Sequence, residues 1–333
     1  MLFFLLAVAV GLALLVFSAD QFIDGAVAIA TKYHMPKILI GALIIGVGTS
    51  APEMFVSALS ALSGNPGIAL GNAYGSNIIN IMLVLGITAL IAPITIQKDV
   101  LKSDFLWLIG ATILAAVLII DGNISRLDAG ILILMMLAHI IGQIYVAKKH
   151  NKNNQPNSTP TPQQGDVEND DLPNPNEVNI TTSLIRLAIG LVVMIASSQL
   201  IVWGAVGLAQ TWGIPDLIIG LTIVAVGTSL PELVSSVIAA RRGEFDLALG
   251  NVLGSNIFNT LAVVGIAGLI EPMTVSSEIL NRDMLVMCGI TATLFMLCMV
   301  ALKTDGKLGR GVGIGLISCF IAYSTWLAMS AMA

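Results

Sequence analysis

One stretch of this chain occurs twice, and each copy carries a carboxylate into a run of apolar residues. Residues 46–80 read GVGTSAPEMFVSALSALSGNPGIALGNAYGSNIIN, and residues 225–259 read AVGTSLPELVSSVIAARRGEFDLALGNVLGSNIFN. The offset is constant at 179, so Glu53 returns as Glu232, Ser76 as Ser255 and Asn80 as Asn259. About half of the positions in 46–95 and 225–274 are identical, with no gap. Each Glu follows a Thr-Ser pair, sits beside a Pro, and lies near the middle of a segment long enough to cross a bilayer. A charge at that depth costs at least ~2.5–3.5 kcal/mol on insertion scales. The fold must therefore supply each Glu with a partner or a polar cavity, and must do so twice.

Composition places those runs in a membrane. Of 333 residues, 56% are hydrophobic and 11% charged, and the mean hydropathy is +0.92. Soluble domains carry about 25% charged residues, and a soluble chain of this length has no way to hide so much apolar surface. The runs are apolar on all sides without alternation, which favours helices over a barrel. The net charge of −5 comes largely from one polar linker and points to no nucleic-acid partner. Cys288, Cys298 and Cys319 fall inside apolar runs without metal-ligand spacing and read as small apolar fillers. The run from Leu2 to Val16 lacks a basic leader, the first Lys being Lys32, and reads as a retained first span.

Ten spans are expected, at about 2–29, 38–63, 68–92, 104–121, 127–147, 184–210, 216–240, 246–270, 283–302 and 311–331. Residues 148–182, rich in Asn, Pro, Gln, Thr and Asp, read as a disordered cytoplasmic linker. They separate a first five-helix repeat, 1–147, from a second, 183–333. With both termini outside, thirteen of the 15 Lys and Arg fall in inside loops and only Arg126 and Arg282 outside, as cytoplasmic loops of an inner-membrane protein require. Five is odd, so the second half enters the membrane upside down relative to the first. The expected fold is all-α: ten transmembrane helices as two inverted-topology repeats, with helices 2 and 7 broken. That architecture belongs to secondary transporters, whose site lies near the midplane between the halves.

No basic residue lies at comparable depth to Glu53 and Glu232, so their partners are each other, protons or bound cations. Thr49, Ser50 and Ser57 share a helical face with Glu53, as do Thr228, Ser229 and Ser236 with Glu232. Asn72, Ser76 and Asn80 form a row in the next helix, mirrored by Asn251, Ser255 and Asn259. All offer oxygen and none a thiolate or imidazole, which suits hard cations such as Ca²⁺ and Na⁺. Pro52 and Pro231 free carbonyls near Gly46–Gly48 and Ala225–Gly227 as further ligands. Against this, Ser57 and Ser236 read more simply as hydroxyls bonded back to their own helix, and Asn72 and Asn251 are open between ligation and packing. His139 reads as a packed or hydrogen-bonded residue rather than a proton carrier. Asp20 and Asp24, whose repeat counterparts are Gln199 and Trp203, lie outside the symmetric set and read as solvated interfacial charges, with a vestibule role as the alternative. Trp107, Trp203, Trp212 and Trp326 read as interfacial anchors.

G-T-S-x-P-E followed by G-N-x-x-G-S-N-I-x-N, present in both halves, resembles the cation/Ca²⁺ exchanger superfamily, and most of all its prokaryotic Na⁺/Ca²⁺ exchangers. The resemblance covers nearly the whole chain. It implies that Glu53, Glu232, Thr49, Ser50, Thr228, Ser229, Ser76, Ser255, Asn80 and Asn259, with backbone near Gly46 and Ala225, line the ion sites. It also implies that the helices at 2–29 and 184–210 slide as a gate. The expected function is a secondary antiporter, not an enzyme, that exchanges Ca²⁺ for Na⁺ by alternating access, works as a monomer and needs no cofactor. Exchange against H⁺, dependence on K⁺ and a passive cation channel are the alternatives. In some members an Asp stands where this chain has Asn259. The site here holds two carboxylates, which one Ca²⁺ neutralises and the three Na⁺ of the family's usual 3:1 exchange would exceed by one charge.

Overall fold

The computed structural model describes residues 1–33, 35, 37–64, 66–96, 104–153, 178–213 and 225–332. The first helix, α1, spans Leu2–Lys32. A short helix α2 (Lys37–Ile40) passes through a π turn, Gly41–Ile45, into α3 (Gly46–Thr49). The helix breaks at Ser50 and resumes as α4 (Ala51–Leu62), the two segments meeting at a 46° bend. Pro52 explains the break, since it has no N–H to continue the ladder and its ring displaces the carbonyl four residues earlier. Then α5 (Pro66–Ile79), a π turn at Asn80–Val84 and α6 (Leu85–Ile91) run on as one rod. The first half closes with α7 (Asp104–Leu118) and α8 (Arg126–Asn153).

The second half begins with α9 (Ile180–Thr211), capped by Asn179, whose Oδ1 accepts from the Thr181 and Thr182 amides. Next come α10 (Ala225–Thr228), a break at Ser229 beside Pro231, α11 (Leu230–Arg241) and α12 (Phe245–Phe258). A π turn at Asn259–Val263 leads into α13 (Val264–Ile270), and a further π turn at Ile279–Asp283 leads into α14 (Met284–Lys303) and then α15 (Arg310–Met332). Gly64 and Gly243, again 179 apart, close α4 and α11 with φ of +73° and +77°, a left-handed conformation that glycine adopts without a Cβ penalty.

Among the described residues, seven helices are long and apolar enough to cross a membrane, or eight with the bent pair counted as one. These account for eight of the ten expected spans. Of the other two, α7 is apolar but 15 residues long, short of a full crossing. The span expected at 216–240 starts on residues 216–224, outside those described. The edges of the expected linker also differ: 148–153 continue α8, and 180–182 open α9. Residues 154–177 of that linker lie outside the described ones.

Burial separates the interior rods from the rim. In an 18-residue stretch of the rod 245–270, 83% of the residues are buried, and in one of the rod 67–91, 72%, against 11% in one of 310–330. Every side chain from Leu247 to Phe258 is enclosed. The outer helices turn Phe17, Val117, Ile141 and Ile321 outward, as a lipid-facing surface requires. Cys298 fills the core, whereas Cys319 is exposed on α15.

α1 and α9 pack along each other through glycines in a reciprocal pattern. A Cβ on Gly11 would meet the Ser197 carbonyl and Ile201, and one on Gly190 would meet the Ser18 carbonyl and Phe22. Gly25 abuts Ser183 and Leu187, and Gly204 abuts Phe4 and Val8. Each contact maps onto its opposite through the 179 offset, and the order along the helices shows that they run antiparallel. Such close approach is what small residues permit. Short strands repeat the cross-pairing. β1 (Ile94–Thr95) of the first half pairs antiparallel with β4 (Lys307–Leu308) of the second, and β2 (Asn123–Ile124) pairs with β3 (Met273–Thr274).

Candidate functional site

The two Pro breaks bring the repeated motifs into the interior. Glu53 lies in the first turn of α4 and Glu232 in the first turn of α11. Both are wholly buried. Glu232 Oε1 lies 3.5 Å from the Ser50 hydroxyl, at the limit of a hydrogen bond. Glu232 Oε2 and both carboxylate oxygens of Glu53 have no hydrogen-bond partner among the described residues.

Neutral oxygens of the same kind surround them. The hydroxyl of Ser229 and both amide atoms of Asn80 and of Asn259 are buried without partners among the described residues. Asn80 and Asn259 each open a π turn, a widened ring that recurs at functional positions. The Asn80 turn packs against α11, which carries Glu232, and the Asn259 turn packs against α4, which carries Glu53. Buried polar atoms in folded proteins are almost always satisfied, so this concentration of unsatisfied oxygen marks the chemistry of the place.

The remaining oxygens frame it. Thr49 Oγ1 lies 3.0 Å from the Ile45 carbonyl, 3.1 Å from Asn251 Oδ1 and 3.2 Å from Ser255 Oγ. Ser255 in turn reaches the Gly46 carbonyl at 3.4 Å. That carbonyl also accepts the Ser50 amide at 3.1 Å. In the second half the Gly227 carbonyl, displaced by Pro231, accepts the Ser198 hydroxyl of α9 at 3.0 Å. Thr228 and Ser76 are also buried. Ala225 opens α10 and is described in its backbone alone.

Asn72 and Asn251 turn out to be supports. Asn72 Nδ2 donates to Ser57 Oγ at 3.0 Å and to the Glu53 carbonyl at 3.4 Å. Asn251 Nδ2 donates to Ser236 Oγ at 2.9 Å and to the Glu232 carbonyl at 3.1 Å. Each Asn ties the interior rod to the helix that presents the Glu. This takes up Ser57 and Ser236, which do not bond back to their own helices as the sequence suggested.

Three polar features escaped the sequence reading. Asn77 donates to Thr260 at 2.7 Å, and Asn256 donates to the Asn77 carbonyl at 3.3 Å, a bridge between the interior rods. Asp104 accepts from Gln143 at 2.7 Å, and Asp283 accepts from Tyr323 at 2.8 Å. Asn77 and Asn256, like Asp104 and Asp283, keep the 179 offset, so the repeat itself carried the signal. The third feature is Arg242, which donates to both Asp20 and Asp24. Burial works against its charge, but Asp24 and then Asp20 more than offset this and hold the guanidinium above its ordinary value.

His139 is enclosed with its ring 5.0 Å from Trp107 and 6.1 Å from Phe258, edge to face, and Trp107 itself is half-buried. Trp203 rests on Phe3 and Phe4. Among the described residues no three His, Cys, Asp or Glu side chains gather as a metal cluster. The candidate site is two buried carboxylates with neutral oxygens on the helices packed around them.

Comparison with known proteins converges on one family. The model described as sodium/calcium exchanger protein matches residues 3–145 and 182–329. CaxA of Alkalimonas amylolytica is 40% identical over 97% of this chain and 98% of its own length. The sodium/calcium exchanger MaX1 of Methanosarcina acetivorans is 31% identical over 96% of each. Among solved structures, the sodium-calcium exchanger NCX_Mj soaked with Na⁺ and Sr²⁺ superposes with a TM-score of 0.79 at 31% identity, covering 97% of both chains.

Proposed function

This chain belongs to the sodium/calcium exchanger protein family, and from that premise we propose that it exchanges Ca²⁺ for Na⁺ across the inner membrane by alternating access at Glu53 and Glu232. The observation that carries the proposal is the pair of enclosed carboxylates with three of four oxygens unpartnered, beside the unpartnered Ser229, Asn80 and Asn259. Such oxygens meet the demand of a hard cation for six to eight oxygen ligands. A bare buried pair is costly, so the occluded site crosses only when loaded, and that condition couples the two ions. One Ca²⁺ neutralises the two carboxylates, and Na⁺ competes for the same oxygens.

The architecture in this reading is ten helices in two inverted five-helix repeats, with both termini outside. Its support lies in the antiparallel, reciprocal packing of α1 on α9, in the crossed strand pairs β1–β4 and β2–β3, and in the one-sided distribution of basic loops. The α1–α9 pair is the sliding element, closing the site first to one side and then to the other. In proteoliposomes, Glu53→Gln and Glu232→Gln are each expected to abolish Na⁺-gradient-driven ⁴⁵Ca uptake while the protein remains folded. Near-normal uptake by either variant would remove that Glu from the site. Uptake driven by a pH gradient without Na⁺ would replace Na⁺ with H⁺ as the coupling ion.

A further inference from the structure

Arg242 ends α11 with its guanidinium against α1, donating through Nη1 to Asp24 and through Nη2 to Asp20. The two acceptors are one helical turn apart, so they present a matched pair of carboxylates to the two arms of one guanidinium. The three side chains are between 31% and 46% exposed, reachable by water yet fixed by two charged bonds. Ala239 and Ala240 of α11 are buried in the same apolar cluster as Ile23, Ala26 and Val27 of α1, and the two helices pack together. The contact therefore joins α1 to the helix that presents Glu232.

This arrangement has no repeat counterpart. The 179 offset maps Asp20 to Gln199, Asp24 to Trp203 and Arg242 to Ser63. Trp203 packs on Phe3 and Phe4. The packing of α1 on α9 is reciprocal, but among the described residues this ionic contact is found at the end where the loop carries Arg241 and Arg242 and has no counterpart through the 179 offset.

We propose that Arg242, Asp20 and Asp24 form a one-sided latch that pins α1 to the Glu232 helix, closing the site on the side of the basic loops and biasing the carrier toward the state open to the other side. The latch rests on the alternating-access reading above. In that reading α1 moves over α11, and the two charged bonds must part for the site to open on the basic-loop side. The residues touch no ion. They set which side is open at rest and leave the ligand shell unaltered.

The test uses full-length protein in proteoliposomes, with Cys288, Cys298 and Cys319 replaced and a reporter cysteine placed by Ala239→Cys, under α1 and one turn from Arg242. A membrane-impermeant thiol reagent is added from the basic-loop side and its rate of reaction followed. Arg242→Gln is expected to speed labelling at least about threefold. Asp20→Asn with Asp24→Asn should match it, and combining all three should add little, because all break one contact. Ser60→Cys, the repeat counterpart of the reporter, should react more slowly from the opposite side in the same variants. Pairing Arg242→Glu with Asp24→Arg should restore slow labelling at Ala239→Cys. Unchanged labelling in both the Arg242 and the Asp variants, in protein that still exchanges Ca²⁺ for Na⁺, overturns the latch alone. If the unsubstituted protein shows no exchange, the alternating-access reading falls, and the latch falls with it.

Discussion

Asn251 is the residue whose loss should be felt in both halves at once. Its Nδ2 holds Ser236 at 2.9 Å and the Glu232 carbonyl at 3.1 Å, while its Oδ1 lies 3.1 Å from Thr49 Oγ1 across the repeat boundary. Its repeat partner Asn72 makes two such bonds, one of them at 3.4 Å, and is less enclosed. A net hydrogen bond is worth about 1 kcal/mol, and an enclosed partner left unpaired adds to that loss. Asn251→Ala should therefore cost about 3 kcal/mol and Asn72→Ala about 1 kcal/mol. At roughly 2 °C per kcal/mol for a chain of this size, the thermal midpoint in detergent should fall about 6 °C and 2 °C respectively. The sharper test is a cycle with Thr49→Val. The Thr49 proton has two acceptors within 0.1 Å of each other in distance, the Ile45 carbonyl at 3.0 Å and Asn251 at 3.1 Å. If it goes to Asn251, the double variant loses about 1 kcal/mol less than the sum of the single variants. Additive losses would place the proton on another acceptor, the Ile45 carbonyl or Ser255 Oγ, and refute the Thr49–Asn251 hydrogen bond.

Two further outcomes follow from the same coordinates. A Cβ on Gly254 would stand 2.3 Å from the Ala42 carbonyl, whereas one on Gly289 would meet nothing within 4 Å; Gly254→Ala should abolish a monodisperse peak on size exclusion and Gly289→Ala should leave it unchanged. Asn259→Asp adds a third carboxylate where both amide atoms lack partners among the described residues, so Na⁺ should inhibit ⁴⁵Ca uptake at lower concentration than in the parent, and an unshifted inhibition curve would show that residue 259 faces away from the ions.

How much of this was legible depended on whether the repeat carried it. Glu53 and Glu232 stand out because a carboxylate in an apolar run is conspicuous twice, and Pro52 and Pro231 mark the breaks beside them. The π turns at Asn80 and Asn259 were not legible, because widening a helix by one residue leaves no side-chain signature. Neither was the use of Asn251 as a support, since a carboxamide at that spacing serves ligation and packing equally well until the neighbouring rod is docked. Arg242 was visible only as one more basic residue in a loop. Its acceptors lie 218 and 222 positions away, outside the symmetry, so no local pattern joined them. The full count of spans was harder to recover, as α7 falls short of a crossing and 214–224 lie outside the described residues.

The departures from symmetry bear on the energetics of the carrier. If two halves related by a two-fold axis exchange roles when the slider moves, every reciprocal contact broken on one side is remade on the other. Gly11 against Ser197 and Gly190 against Ser18 are such a pair, and packing of that kind contributes nothing to the difference between the two states. Whatever makes one state more populated must come from residues that break the repeat. Among the described hydrogen bonds and ion pairs between the slider and the bodies that carry Glu53 and Glu232, three do so. One is Arg242 on Asp20 and Asp24. Another is Ser198, whose counterpart is Ala19, on the carbonyl freed by Pro231. The third is the Ser235 hydroxyl on Met194 Sδ, whose counterparts are Val56 and Leu15. A shift of a few kcal/mol is enough to move a two-state equilibrium from balanced to one-sided, and a small number of charge-assisted bonds is of that order. In the proposed cycle the repeat provides the motion, and the few side chains that violate it set its resting position.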